Sequence, residues 1–519
     1  MSGIIALLCA FPVIYVIKKL LLPGKQSGPY PPGPKGLPFI GNALDFPTEN
    51  NAQEYAKWEK KYGSSILHAS AFGTHVILLN KREAADELFE RRAQKYSDRP
   101  HFPLANLIGL SYNMAFMGYG DKWRLCRKIT QQIFRQGAME NFNWVITRKV
   151  HQALGGLLSS PDDFAYHNKM LAISIPMAAM YGYDVKSAED PCIVAADKSL
   201  TLGLQLIAPG GSLINIIPIL RFIPPWFPGA SSRKAAEHVK KLTRDMQQIP
   251  LDFVKSQMAR PSKRKSVSRT KRLYKMFRVA VPSFVSEFFE KKHTIGASEE
   301  EEAAVLSIAP TVYAAIGTFI YLMAVNPDIQ KKAQAEIDSV VGTKRLPNFE
   351  DRPLMPYIEA IYREILRWRP PGQVGIPHCS AEDDFYDGYF IPKGATVIGN
   401  VWAMTHDESI YPEPNAFKPE RFFNLDGTLN DDDRILAYGF GRRVCVGKHF
   451  ASAIIWLTVV SILATFKIEK ARDETGKEIG ISDEYVDFGF LTHKTPFKCS
   501  ILPRSTTSQH LVEQACASE

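Results

Sequence analysis

Tyr438-Gly439-Phe440-Gly441-Arg442-Arg443-Val444-Cys445-Val446-Gly447 is the stretch on which the reading of this chain turns, and a long apolar run begins at Lys448 directly behind it. A cysteine set just before a helix faces unpaired amides and the positive end of the helix dipole. Both lower the thiol pKa and suit the sulfur to metal ligation. Gly441 and Gly447 lack a Cβ, so another group can come close to the backbone there. Arg443 places a permanent positive charge two residues from the sulfur. The bland alternative is a buried cysteine beside a glycine turn, which is how most lone cysteines behave.

Three upstream features gain weight from that loop. Glu364 and Arg367 stand three apart in a helical stretch and therefore share a face. Arg421 follows in Phe417-Lys-Pro-Glu-Arg421-Phe422, between that helix and the cysteine. A buried carboxylate held by two guanidinium groups would brace the cysteine loop, a role in folding rather than in chemistry. Trp123 and Arg127 are four apart and also share a helix face. His378 follows Gly375-Ile-Pro377 and means little alone.

Together these segments resemble the cytochrome P-450 family. The loop is similar to its signature Phe-x-x-Gly-x-Arg-x-Cys-x-Gly, with Tyr438 in place of Phe and Val446 where many relatives carry Pro. Glu364, Arg367 and Arg421 resemble its Glu-Arg-Arg lock, and Trp123 with Arg127 its Trp-x-x-x-Arg helix. The motifs run in family order over nearly the whole chain, in the manner of membrane-bound fungal members associated with secondary metabolism. The resemblance implies haem b with Cys445 as the axial ligand of the iron. Arg443, Trp123, Arg127 and His378 would contact the haem propionates, and Gly441 and Gly447 would allow its close approach. It also implies NADPH electrons from a cytochrome P-450 reductase, with cytochrome b5 as a second donor, and insertion of one oxygen atom of O2 into a small lipophilic substrate. By analogy, residues 102–116, 374–376 and 488–491 would line the substrate pocket.

One part of the family pattern fails. The oxygen-binding helix of relatives carries an acid-alcohol pair that relays protons. Here the region reads Thr311-Val-Tyr-Ala-Ala-Ile-Gly-Thr318-Phe-Ile-Tyr321, and no Asp or Glu occurs from Ala303 through Asn326. One alignment makes Thr318 the catalytic alcohol, with Gly317 at the acid position. The other, which fits the following Gly-Thr-Phe-Ile and Asn326-Pro327 better, has the pair absent together with seven or eight residues, roughly 10–12 Å of helix. Two rival readings stay open: a haem-thiolate isomerase, dehydratase or peroxygenase that needs no relay, or a catalytically impaired haem-binding membrane protein.

Helical periodicity covers 52–61, 81–91, 120–134, 303–323, 328–341, 355–368 and 448–466. Extended runs are fewer, at 66–71, 75–79, 387–391, 396–400 and 497–502. The expected fold is mainly α with a minor β-sheet, the haem lying between the oxygen-binding helix and the cysteine loop. The expected organisation is an N-terminal membrane anchor at 1–22, a proline-rich hinge at 23–42, an oxygenase domain at 43–505 and a loose polar tail at 506–519. Residues 1–17 carry no charge and end at Lys18-Lys19, which keeps the following chain cytoplasmic. This places the protein in the endoplasmic reticulum membrane on a single anchor.

Composition excludes several classes. Of 519 residues, 45% are hydrophobic and 23% charged, the values of an ordinary globular chain. Seven dispersed cysteines argue against a disulfide framework, and no Cys-x-x-Cys pair suggests zinc. The net charge of +9 equals the nine Lys/Arg of the acid-free run 260–278. The basicity is therefore local, and no nucleic-acid partner is expected. This run beside the gap in the oxygen-binding helix points to altered intron boundaries.

Overall fold

The computed structural model describes residues 28–207, 212–216, 218–227, 230–259, 283, 285, 309–488 and 491–518. The expected anchor at 1–22 and the basic run 260–278 lie outside these residues. The contacts divide the chain into two compact units. The first holds the described part of Met1–His101 with Val374–Met404 and Phe440–Arg442, and the second holds Phe102–Gln373, Thr405–Gly439 and Arg443–Glu519.

The first unit is built on a four-stranded sheet. Strands β1 (Ile66–Ala71) and β2 (Thr74–Leu79) form a hairpin; β3 (His378–Cys379) and β6 (Thr396–Gly399) complete the order β1-β2-β6-β3, with β2 and β6 parallel. Helix α1 (Asn51–Tyr62) buries Tyr55 and Trp58 against Leu67, Ala69, Leu78 and Ile398. The run read as one strand over 387–391 is instead a hairpin of β4 (Asp384–Tyr386) and β5 (Tyr389–Ile391). Asp387 and Gly388 turn it with φ of 52° and 78°, the Asp-Gly chemistry that tight hairpins need.

The expected hinge 23–42 is corrected from residue 28 onward, because that part is docked on the sheet. Pro32 accepts the His68 amide at 2.9 Å, Pro29 accepts the Phe390 amide at 2.7 Å, and the Tyr30 ring stacks on His68 with centroids 4.5 Å apart. Prolines cannot donate but their carbonyls accept, so a proline-rich segment can still line a sheet edge.

The second unit is helical. Its long helices are α2 (Asp121–Phe134), α3 (Glu140–Ser159), α4 (Phe164–Tyr181), α5 (Pro191–Ile207), α6 (Ser231–Ala259), α7 (Ala309–Val325), α8 (Pro327–Val340), α9 (Pro356–Trp368), α10 (Lys448–Thr465) and α11 (Thr506–Ala517). Helix α10 is apolar on every side and is the one described helix long and apolar enough to cross a membrane, yet 78% of it is buried inside the protein. It is the central core helix, with Phe450, Ile455, Trp456 and Val460 fully enclosed. Asn326-Pro327 breaks the chain between α7 and α8, whose axes differ by 106°, as the loss of a backbone donor dictates. Two antiparallel pairs complete the unit, β7 (Phe466–Lys470) with β10 (Cys499–Pro503) and β8 (Tyr485–Phe488) with β9 (Leu491–Lys494).

The tail expected to be loose is α11. Ser505 caps it by accepting the Ser508 amide at 3.1 Å, Val512 is buried, and the Cys516 thiol donates to the His151 carbonyl of α3. Gly155 makes the seat, since a Cβ there would stand 2.6 Å from the Cys516 sulfur.

The docked hinge gives a pH prediction. His68 Nε2 and His75 Nδ1 share a hydrogen bond of 2.9 Å, and burial together with the neighbouring His75 pushes His68 down to about 4. Between the usual value near 6.5 and about 4 the unfolded chain binds a proton that the folded chain refuses, so stability falls as pH drops through that window. Denaturant midpoints measured across it should show this slope, and His68→Phe, which keeps the ring stack, should flatten it.

Candidate active site around Cys445

Helix α10 and the loop before it position the sulfur. The Cys445 amide donates to the Tyr438 carbonyl at 2.7 Å and closes the loop, while the Lys448 amide donates to the Cys445 carbonyl at 3.3 Å. Tyr438, standing where the family pattern has Phe, buries its ring and meets the Tyr362 hydroxyl of α9 at 3.0 Å. A buried phenol needs such a partner, which makes the substitution consistent with the site. Gly447 precedes α10, and its amide hydrogen-bonds the cysteine sulfur.

The structure corrects the expectation of a lowered thiol pKa. Burial pushes Cys445 up, and the Gly447 amide, Arg127 and Lys448 offset only part of that. Arg127 feels the same environment in reverse. Burial lowers its pKa, and the nearby Cys445 raises it in part.

Within this unit three of the expected side chains meet at the loop. Trp123 and Arg127 share a face of α2, the Arg127 guanidinium lying 6.0 Å from the Trp123 ring and donating to the Val444 carbonyl. Arg443 lies 4.4 Å above the same ring and 5.8 Å from that of Tyr119, and it donates to the Met114 and Met117 carbonyls at 3.0 and 2.9 Å. Backbone carbonyls thus orient both guanidinium groups at the loop that carries the sulfur. Met117 and Tyr119, which help to build this cradle, carried no legible signal in the sequence.

Gly441 and His378 belong to the first unit. Gly441 has φ of +52°, and a Cβ there would stand 2.1 Å from the Phe89 carbonyl oxygen. Its bare backbone is therefore demanded by Phe89, and its amide donates to Glu90 at 2.7 Å. His378, on β3, is buried, accepts or donates at Nδ1 with the Tyr96 carbonyl at 2.7 Å, and stacks on Phe89 with centroids 4.1 Å apart.

The three lock residues come together. Glu364 is 0% exposed. Arg367 donates to both of its oxygens at 2.7 and 2.8 Å, Arg421 donates at 3.1 Å, and the Lys418 amide adds a fourth bond at 2.9 Å. The remaining guanidinium hydrogens reach the carbonyls of Thr405, Pro412, Pro414 and Ala416. One carboxylate thus organises the whole chain segment from 405 to 421.

Helix α7 covers the described part of the periodicity over 303–323 and ends at Val325, residues 303–308 lying outside the described residues. Thr318 is buried, and its hydroxyl oxygen accepts from the Tyr485 hydroxyl of β8 at 3.3 Å. The structure thus pairs Thr318 with a phenol rather than a carboxyl group. Elsewhere in the unit a cavity of about 350 Å³ lies among α4, α5, α6, α7 and β9. Of the residues expected to line a pocket, Leu491 borders it. Leu104, Ile108 and Leu110, from the 102–116 stretch, are instead packed against Ile207, Ile214 and Val239. Among the described residues no cluster of three or more His, Cys, Asp or Glu is arranged to hold a metal ion.

Comparison with known proteins agrees with this geometry. The profile of the family described as Cytochrome P450 matches residues 31–501. Cytochrome P450 monooxygenase COX2 of Coprinopsis cinerea is 35% identical over 523 residues, covering 100% of this chain and 97% of its own. Cytochrome P450 monooxygenase claR of Ampulloclitocybe clavipes is 35% identical, with 93% of this chain and 88% of its own covered. Cytochrome P450 monooxygenase ppsD of Aspergillus oryzae is also 35% identical, with 93% and 90% covered.

The lock carries a stability prediction. Glu364→Ala strands two buried guanidinium groups, so denaturant unfolding should show a loss of about 3–5 kcal/mol. Loss below 1 kcal/mol would show that the carboxylate does not organise this segment.

Proposed function

The chain belongs to the cytochrome P450 family, and on that premise we propose that its monooxygenase reaction runs at Cys445 on a small lipophilic substrate of secondary metabolism. The observation that carries this is the convergence of Cys445, Arg127, Trp123 and Arg443 at one loop. A soft sulfur donor suits iron, and two guanidinium groups beside one indole suit the carboxylates of a porphyrin. The donor set of this unit therefore fits haem b, with Cys445 on the iron and Arg127, Arg443 and Trp123 at the propionates. Haem supplies the activation of O2 and the electron transfer that no side chain can.

The residues of this chain do the rest. The Gly447 amide and Arg127 hold negative charge at the Cys445 sulfur. The Glu364 lock keeps the loop rigid under that charge. Electrons come from NADPH through a cytochrome P450 reductase, with cytochrome b5 as a second donor. The uncharged N-terminal run acts as an anchor in the endoplasmic reticulum membrane and keeps the catalytic body on the cytoplasmic side. Trp226 and Phe222, exposed at 77% and 68%, lie within the apolar stretch 213–228, near which a lipophilic substrate would enter.

A second reading is favoured by α7. With no acid from Ala303 through Asn326 and Thr318 bound to Tyr485, the helix offers no carboxyl-hydroxyl pair to deliver protons. Such a site suits a peroxygenase, isomerase or dehydratase, or else it works poorly as a monooxygenase. The experiment is to follow NADPH consumption, hydrogen peroxide release and product with the reductase present. Most of the NADPH should appear as peroxide. Inserting eight residues with an acid-alcohol pair before Ile316 should raise product per NADPH by about 10²-fold, the usual worth of a positioned proton donor. Tight coupling in the unaltered chain would overturn the relay argument, and product formed equally well without NADPH and reductase would overturn the monooxygenase reading.

A further inference from the structure

In the first unit, the helix that follows β2 is not regular. Over Asp86–Arg91 it widens into a turn of π-helix, in which the Arg92 amide donates to the Glu87 carbonyl, five residues back, at 2.9 Å. Such turns are rare and occur frequently at functional sites. This one is clamped on one side by Asp384 of β4. Arg92 donates to the Asp384 carboxylate at 3.0 Å, Lys95 at 3.1 Å and the buried Tyr96 hydroxyl at 3.0 Å. A carboxylate held by three donors fixes one arrangement of the groups around it.

On its other side the turn meets a single glycine with two successive residues. The Glu90 carboxylate accepts the Gly441 amide at 2.7 Å. The Phe89 carbonyl closes on the same glycine, leaving no room for a Cβ. The Phe89 ring is 1% exposed, stacks on His378 and lies 5.5 Å from the Phe440 ring. A Cβ on Gly399, at the end of β6, would come within 3.2 Å of the Phe89 ring and 3.4 Å of the Phe440 ring. Phe440 and Gly441, the first half of the cysteine loop, are thus gripped by ring, carbonyl and carboxylate together.

Of these groups only Glu90 is exposed, so burial of apolar surface does not account for it. An amide bond to a carboxylate is roughly twice as strong as a neutral one. We propose that Glu90 is a positioning residue: presented by the π-turn, its carboxylate holds the Gly441 amide and with it the backbone of the cysteine loop. The chain runs on from Gly441 to Cys445 through four peptide bonds, so holding Gly441 reduces the number of conformations in which the sulfur is presented. That second step rests on Cys445 being the iron ligand of the proposed function; the hold on Gly441 does not.

Hydrogen exchange of the Gly441 amide in the purified full-length protein reads the first step, and the reduced, carbon-monoxide-bound spectrum reads the second. Glu90→Ala should speed exchange at Gly441 by roughly tenfold, the worth of a lost hydrogen bond to a charged group, and weaken the thiolate band. Glu90→Gln, which keeps an acceptor, should stay within about threefold of the parent in exchange and retain the band. Thermal midpoints near that of the parent would show that the fold is kept; should Glu90→Ala unfold, Glu90→Ser, too short to reach the amide, takes its place. Unchanged exchange in Glu90→Ala, or exchange as fast in Glu90→Gln as in Glu90→Ala, overturns the proposal. Faster exchange with an undiminished thiolate band overturns its second step. A parent protein with no thiolate band at all refutes the haem-thiolate reading instead, and the exchange rates then still decide the hold on Gly441.

Discussion

A sulfur that must carry negative charge away from water needs compensation from its surroundings, and the second unit is arranged around that need. Burial drives the Cys445 thiol toward its neutral form. One loop amide, one guanidinium and the lysine that begins α10 push back without prevailing. The polypeptide by itself thus favours the neutral thiol, and the metal coordination proposed above would invert this balance.

That arrangement depends on stiffness some distance away. Glu364 is enclosed by two arginines and a backbone amide, and those arginines bind the carbonyls of the segment leading toward the cysteine loop. Tyr438 ties the loop itself to the same helix, α9, through Tyr362. The N-terminus of α9 is in turn capped by Glu336 of α8, which accepts the Tyr357 and Ile358 amides. Buried charge of this kind contributes little net stability but fixes one geometry over its neighbours, which is its best-supported use.

Motif residues with fixed spacing were legible in the sequence, because Trp123 with Arg127 and Glu364 with Arg367 needed only helix periodicity to share a face. Long-range partners such as Arg421 became legible through the family resemblance. The rest failed for physical reasons. Helix α4 is apolar on nearly all sides and contains Pro176, so it lacks both the amphipathic period and the usual helix composition. Helix α11 is polar and held mainly by Val512 and by room made at Gly155, a fit that only packing reveals. That the Phe89 backbone lies against Gly441 was not legible, because a missing Cβ looks the same whatever stands beside it. The thiol pKa was misread because the sequence displays the helix dipole and the arginines but not the depth of burial. The absent acid on α7 was fully visible, since an absence of charge is a property of sequence alone.

The account rests on Cys445 binding iron through sulfur, and the reduced, carbon-monoxide-bound absorption spectrum reports that bond directly. The purified chain should show the red-shifted band characteristic of thiolate ligation, and Cys445→Ser should abolish it while Cys126→Ser and Cys499→Ser leave it in place. A thiolate band that persists in Cys445→Ser would contradict the assignment.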